Sequence, residues 1–161
     1  MILSTKGRYA VMAMVDLALQ PQARPVGLAA IADRQEIPLA YLEQIFARLK
    51  RAGLVKSVRG PGGGYQLARA GEAITIAEIM QASEEVMEMA RCKTAGHQGC
   101  MSPKTRCLTH DLWEGLAAQI HGYLGSITLA DVVGRNVGKQ RPFEASLAAL
   151  ALDISAMAHG S

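Results

Sequence analysis

Hydrophobic positions along the chain follow a helical period at both ends and a strand-like period in a short central stretch. Between residues 6 and 20, Tyr9, Met12, Ala13, Leu17 and Leu19 recur at roughly helical spacing, and Pro21 lies just past the end. Residues 28–35 predict a short second helix with Leu28, Ile31 and Ala32 on its inner face. Glu36-Ile37-Pro38 interrupts it, because Pro38 disfavours helical backbone at Ile37. A third helix over residues 39–52 should end at Gly53, the usual residue for a left-handed cap. Helix, short turn and helix form a helix-turn-helix signature, a weak one taken alone.

The next segment strengthens that signature. Residues 54–59 and 65–68 are strand-like runs joined by GPGGG at 60–64, which predicts a β-hairpin, a wing, directly behind the third helix. A phosphate-binding loop would need a Lys-Ser/Thr pair after the glycines, and a dinucleotide turn a helix. Here strand-like Tyr65-Gln66-Leu67 comes instead. TIAE at 75–78 is a capping box opening a short helix that runs to about Ala82. A long helix fits residues 111–125, with Leu112, Trp113, Leu116, Ile120, Tyr123 and Leu124 in one apolar stripe. Thr128 and Asp131 resemble a second capped start. Beyond a polar linker at 134–142, Phe143, Leu147, Leu150, Ile154 and Met157 recur at helical spacing.

Half of the 161 residues are hydrophobic and 19% are charged, which excludes the disordered class. No run approaches the ~18 apolar residues of a membrane span, and no export signal precedes the first helix, so a cytoplasmic protein is expected. The net charge of +3 is unevenly spread. Residues 1–69 hold ten Lys/Arg against four acids, and residues 70–161 hold seven against ten. Only the first part suits a polyanion.

On the third helix, Leu42, Ile45, Phe46 and Leu49 cluster on one side. Tyr41, Gln44, Arg48 and Arg51 fall on the other, with Ala40 and Ala47 between them and Glu43 on the flank. Small residues beside Tyr, Gln and Arg suit a helix that enters a major groove, where Gln can pair with the edge of adenine; a solvated surface helix looks the same on a wheel. Arg59 at the wing tip suits a narrow minor groove, and the basic residues around it suit phosphate contact. Lys6 and Arg8 on the first helix, and the turn glycines Gly60, Gly62 and Gly63, complete the candidate DNA contacts.

Cys92, Cys100, Cys107 and His110 lie within nineteen residues. Cys107 and His110, three apart at the start of the long helix, can point the same way. Three thiolates and one imidazole fit either structural zinc or an iron–sulfur cluster. Intervals of seven and six residues between the cysteines, with Gly96 and Gly99 in the first, favour the larger inorganic core over zinc, which usually shows closely paired ligands. Three unligated thiols are the plain alternative.

The strings STKGRYAV (4–11), YLEQIFARLKRAGLVKSVRGPGGGY (41–65), ITIAEI (74–79), RC (91–92) and CLTHDLW (107–113) carry a family resemblance. The chain resembles the IscR-type iron–sulfur cluster regulators, in the wider winged-helix family that includes NsrR and RirA, over about residues 1–133. The resemblance implies a homodimeric transcription regulator of iron–sulfur assembly genes, supplied by cluster donor machinery. It also implies a 2Fe–2S cluster with three Cys ligands and one His, carried onto Cys92, Cys100, Cys107 and His110. NsrR-like members use an aspartate near the N-terminus; this chain has Arg8 there and His110 instead, which weakens a nitric-oxide-sensor reading. Both cysteine intervals are slightly longer than in the best-known IscR members. The family pattern further suggests that Glu43 sets promoter choice, since a carboxylate suits few groove partners other than the amino group of cytosine.

The expected architecture is mainly α with a small β-hairpin wing: a winged helix-turn-helix domain (1–83), a cysteine-rich cluster-binding loop (84–110), a dimerisation helix region (111–133) and a tail (134–161). The expected function is a non-enzymatic DNA-binding regulator, acting as repressor or activator on a double-stranded DNA operator according to cluster status. A winged-helix regulator with structural zinc, or with a cluster responsive to nitric oxide or iron, is the alternative. An iron–sulfur redox protein lacks support, because no flavin or nucleotide motif accompanies the cysteines.

Overall fold

Helix α1 (Thr5–Leu19) lies at the centre of the fold, packed against α2 (Leu28–Gln35), α3 (Leu39–Arg51), β2 (Gly64–Leu67), α4 (Ile76–Ala82) and α6 (Leu129–Val133). Its fully buried apolar side chains are Ala10, Ala13, Met14 and Leu17, one stripe at i, i+3, i+4 and i+7. The expected stripe is displaced from this one: Tyr9 and Met12 are half-buried and Leu19 is exposed. Elements surround α1 on several sides, so its small alanines, rather than its larger edge residues, set the closest approaches. The architecture comes from a computed structural model that describes residues 5–83 and 107–138. Cys92, Cys100 and the expected helix carrying Phe143 to Met157 lie outside the described residues.

The turn of the helix-turn-helix begins at Glu36, where the sequence places the break. Glu36 adopts a left-handed φ of 54°, and its N–H donates to the Ala32 carbonyl. Ile37 enters the core at 3% exposure, and Pro38 then occupies the N-cap of α3. At the other end of α3, Gly53 (φ 72°) donates to the Lys50 carbonyl and Leu54 to the Leu49 carbonyl. This paired pattern closes the helix as the glycine predicts.

Strands β1 (Val55–Val58) and β2 form an antiparallel hairpin in register Val55↔Leu67 to Val58↔Gly64. A third segment joins it. Val26 pairs with Tyr65 through two backbone hydrogen bonds of 2.9 and 2.8 Å, and the Gln66 amide donates to the Gln22 carbonyl at 2.7 Å. The wing is thus tied to the loop before α2 as well as to α3.

After a 3-10 turn (Gly71–Ala73), α4 begins at Thr75 and α6 at Thr128, each with a complete capping box, to Glu78 and Asp131 respectively. Both starts meet. The Ile76 amide donates to the Ile127 carbonyl at 2.9 Å, and the Leu129 amide to the Ile74 carbonyl at 2.8 Å. Ile127 and Leu129 enter the same core as α1. Between them, α5 (His110–Ser126) packs against α4 while Leu112, Trp113, Leu116 and Tyr123 stay exposed.

Candidate nucleic-acid interface and cluster segment

On α3, Leu42, Ile45, Phe46 and Leu49 are buried, and Ala40, Glu43, Gln44, Ala47, Lys50 and Arg51 are exposed. The buried side is the expected one, and of the expected outer side Gln44 and Arg51 are exposed while Tyr41 and Arg48 are not. The exposed side offers two small residues, one amide, one carboxylate and two cations along a single helix, a composition suited to groove entry. Tyr41 sits apart from that group. It is half-buried, and its ring meets Tyr9 edge to face at 5.6 Å. Arg48 is also half-buried, and its guanidinium donates to the Ser83 carbonyl at 3.3 Å.

The wing presents Arg59, Gly60, Pro61 and Gly62 to solvent, with Gly63 half-buried beneath them. Gly60 and Gly62 have φ of 109° and 71°, backbone that side-chain-bearing residues rarely adopt, and the Gly63 amide donates to the Gly60 carbonyl at 2.9 Å. Among the described residues, Arg8, Lys56 and Arg59 make no intramolecular ion pair. Their charge is directed outward. Lys6 is half-buried on the first turn of α1, and Lys50 bonds the Ser57 hydroxyl at 2.6 Å, joining α3 to β1.

An ion pair between a buried acid and an exposed arginine, which no sequence pattern predicts, joins α1 to α2. Asp16 on α1 is 3% exposed and accepts from the Arg34 guanidinium at 3.0 Å and the Gln35 amide at 2.8 Å, both on α2. Burial pushes the Asp16 carboxyl up, but the hydrogen bonds from Arg34 and Gln35 and the Arg34 charge outweigh it and hold it below the ordinary value. The only signal in the sequence is an acid inside an apolar helix.

Of the four expected metal ligands, Cys107 and His110 are described. His110, 5% exposed, opens α5, and its backbone amide donates to the Cys107 carbonyl at 3.0 Å. Cys107 is half-buried, with Sγ 3.6 Å from the Thr109 hydroxyl. The imidazole Nε2 lies 3.8 Å from the Glu114 carboxylate, and His110, Asp111 and Glu114 bring their ligand-type atoms within 4.8 Å of one another. A thiol in the turn that leads into a helix and a buried imidazole at its first position fit a soft metal centre carrying negative charge. Cys92 and Cys100 lie outside the described residues.

Comparison with known proteins identifies the family. Residues 3–135 match the Rrf2 family model, described as an iron-dependent transcriptional regulator. The chain is 52% identical over 133 residues to the HTH-type transcriptional regulator IscR of Xenorhabdus nematophila, covering 83% of this chain and 79% of that one. Among solved structures, T. potens IscR superimposes with a TM-score of 0.68 at 39% identity, covering 88% of this chain and 92% of that one. CymR, the global cysteine regulator of B. subtilis, gives 0.68 at 31% identity, over 84% of this chain and 98% of that one. Among the described residues no helix is long and apolar enough to cross a membrane. With its wing, its helix exposed on one side and this match along most of its length, the chain belongs to the Rrf2 family and is a transcriptional regulator of the IscR type.

Proposed function

We propose that the chain reads operator DNA as a homodimer and changes its choice of operator with the state of a 2Fe–2S cluster held by Cys92, Cys100, Cys107 and His110, thereby controlling iron–sulfur assembly genes. The observation that carries this reading is the placement of Cys107 and buried His110 in one turn at the base of α5, in the same chain as a basic winged helix. When bound, the cluster supplies a cross-link between the cysteine-bearing segment and that helix. The exposed apolar face of α5 (Leu112, Trp113, Leu116 and Tyr123) supports pairing with a second copy.

Each DNA-facing residue then has a separate task. Gln44 reads base edges and Glu43 rejects sites that lack a suitable donor, while Lys6, Arg8 and Arg51 hold phosphates. Arg59 enters a minor groove, and Gly60, Gly62 and Gly63 let the wing backbone approach the sugar-phosphate chain. A cluster-dependent switch requires cluster-bound and cluster-free forms to differ in relative affinity for competing sites, because equal affinities shift nothing.

Purification without oxygen tests the reading. The expected product is coloured protein with about two irons and two sulfides per chain, lost on Cys92→Ala, Cys100→Ala or Cys107→Ala. Colourless protein with stoichiometric zinc would overturn the cluster assignment while leaving the DNA-binding assignment in place, since zinc has a filled d shell.

A further inference from the structure

Arg48 stands on the recognition helix, yet its guanidinium is turned inward. It donates to the carbonyl of Ser83, the residue that ends α4. Ser83 is itself immobilised. It has no exposed surface, its amide donates to the Ile79 carbonyl at 3.1 Å, and its hydroxyl donates to the Met80 carbonyl at 2.7 Å. Upstream, Ile76, Ile79 and Met80 anchor α4 in the core beside α1. Downstream, nine positions along the sequence, is Cys92. The carbonyls at a helix C-terminus carry partial negative charge and favour a cation, so the contact joins complementary groups.

We propose that Arg48 is a positioning residue that ties the recognition helix to the end of α4, so that a change of state in the cysteine-bearing segment is carried to α3. The proposal rests on the reading that this segment holds the cluster. The physical requirement is a contact with two arrangements that both sites bias. In sequence, Ser83 stands where α4 ends and the cysteine-bearing segment begins, and Arg48 is a side chain of α3 that bonds it. For the relay to work, a change of state beyond Ser83 has to alter the length or direction of that hydrogen bond. Any such change acts on the same helix that carries Glu43, Gln44 and Arg51. A phosphate-contacting role for Arg48 makes a different prediction, because it depends on charge and not on the state of the cysteines.

The test compares full-length wild type with Arg48→Met, which keeps the apolar stem and removes the donor. Arg48→Leu, which also lacks a donor, gives the same readout should the methionine variant fail to fold. Cluster-bound and cluster-free protein are titrated by fluorescence anisotropy against two operator classes and an unrelated duplex, over a series of salt concentrations. In wild type, cluster loss should change the affinity ratio between operator classes by more than about tenfold. In Arg48→Met that change should shrink below about threefold, with the salt dependence of binding unaltered. A retained tenfold change overturns the relay. So does equal weakening of both forms with a salt slope shallower by about 0.9 for each phosphate no longer neutralised, which is the signature of a direct backbone-binding role. If both wild-type forms rank the operators identically, the cluster-switch reading itself fails, a result distinguishable from either of the others.

Discussion

The rings of Phe46 on α3 and Tyr65 on β2 meet edge to face with centroids 4.9 Å apart, so the recognition helix and the wing share one aromatic contact. Phe46 is fully buried, and Tyr65 is also the residue that pairs with Val26. A double-mutant cycle with Phe46→Leu and Tyr65→Leu should give a coupling of about 0.5–1.5 kcal/mol in urea unfolding, beyond the cost of the reduced buried area. Strict additivity of the two substitutions would show that the rings stabilise independently.

Gly64 marks where the wing backbone passes the loop before α2. A Cβ at this position would run into the carbonyl of Val26, a backbone atom that has nowhere flexible to go. Gly64→Ala should therefore destabilise the protein by about 1–3 kcal/mol. It should also weaken operator binding by tilting the wing. Thermal melts together with anisotropy titrations check both effects, and unchanged melting would exclude the tight approach.

The Asp16 carboxyl titrates lower in the folded chain than in the unfolded one. A group of this kind contributes stability that is fully present above its unfolded pKa and is lost as pH falls through the folded value. Asp16→Asn should accordingly destabilise at neutral pH, and its deficit relative to wild type should narrow as pH drops below about 4. Glu78 and Asp131, held low chiefly by hydrogen bonds from Thr75 and Thr128, lose their contributions over the same acid range in both proteins and leave the difference unaffected. Urea midpoints at a series of pH values measure it.

Arg59 and Gln44 should fail differently. Arg59→Ala should cost about 1–3 kcal/mol of operator affinity and reduce the salt slope. Gln44→Ala should change which operator positions tolerate mismatches while leaving the salt slope unchanged. Competition binding on a panel of single-base operator variants separates the two, and identical profiles for wild type and both variants would remove the wing and α3 from the interface.

Local signals are legible in the sequence and distant ones are not. The bounds of α2, the Gly53 cap and the capping box at Thr75 all depend on residues within a few positions of each other, and each is found where the pattern places it. The Val26 pairing with Tyr65 and the Asp16 contact with Arg34 join residues far apart in sequence, through single bridges that leave no period. Arg48 shows the limit of a helical wheel, which gives direction but not reach: a long side chain expected on the outer side curls back to Ser83. For the candidate metal site, Cys107 and His110 meet through a turn that leads into α5, closed by the His110 amide on the Cys107 carbonyl, and not through a helical repeat, since Cys107 precedes the helix. Loop intervals of six and seven residues give no comparable constraint on Cys92 and Cys100.

The crossed hydrogen bonds that join Ile74 and Ile76 to Leu129 and Ile127 form the neck of a long excursion of the chain. In sequence, the chain between these two points runs from α4 to the end of α5. The cost of closing such a loop grows only slowly with its length, so the four residues of the neck, and not the length between them, hold α6 to the core. A fragment ending at residue 83 loses that hold. It strands the Ile74 carbonyl and the Ile76 amide and removes Ile127 and Leu129 from the core. A unit cut from this chain around α1 therefore has to keep residues 127–133 together with residues 5–83, a discontinuous piece that no single cut provides.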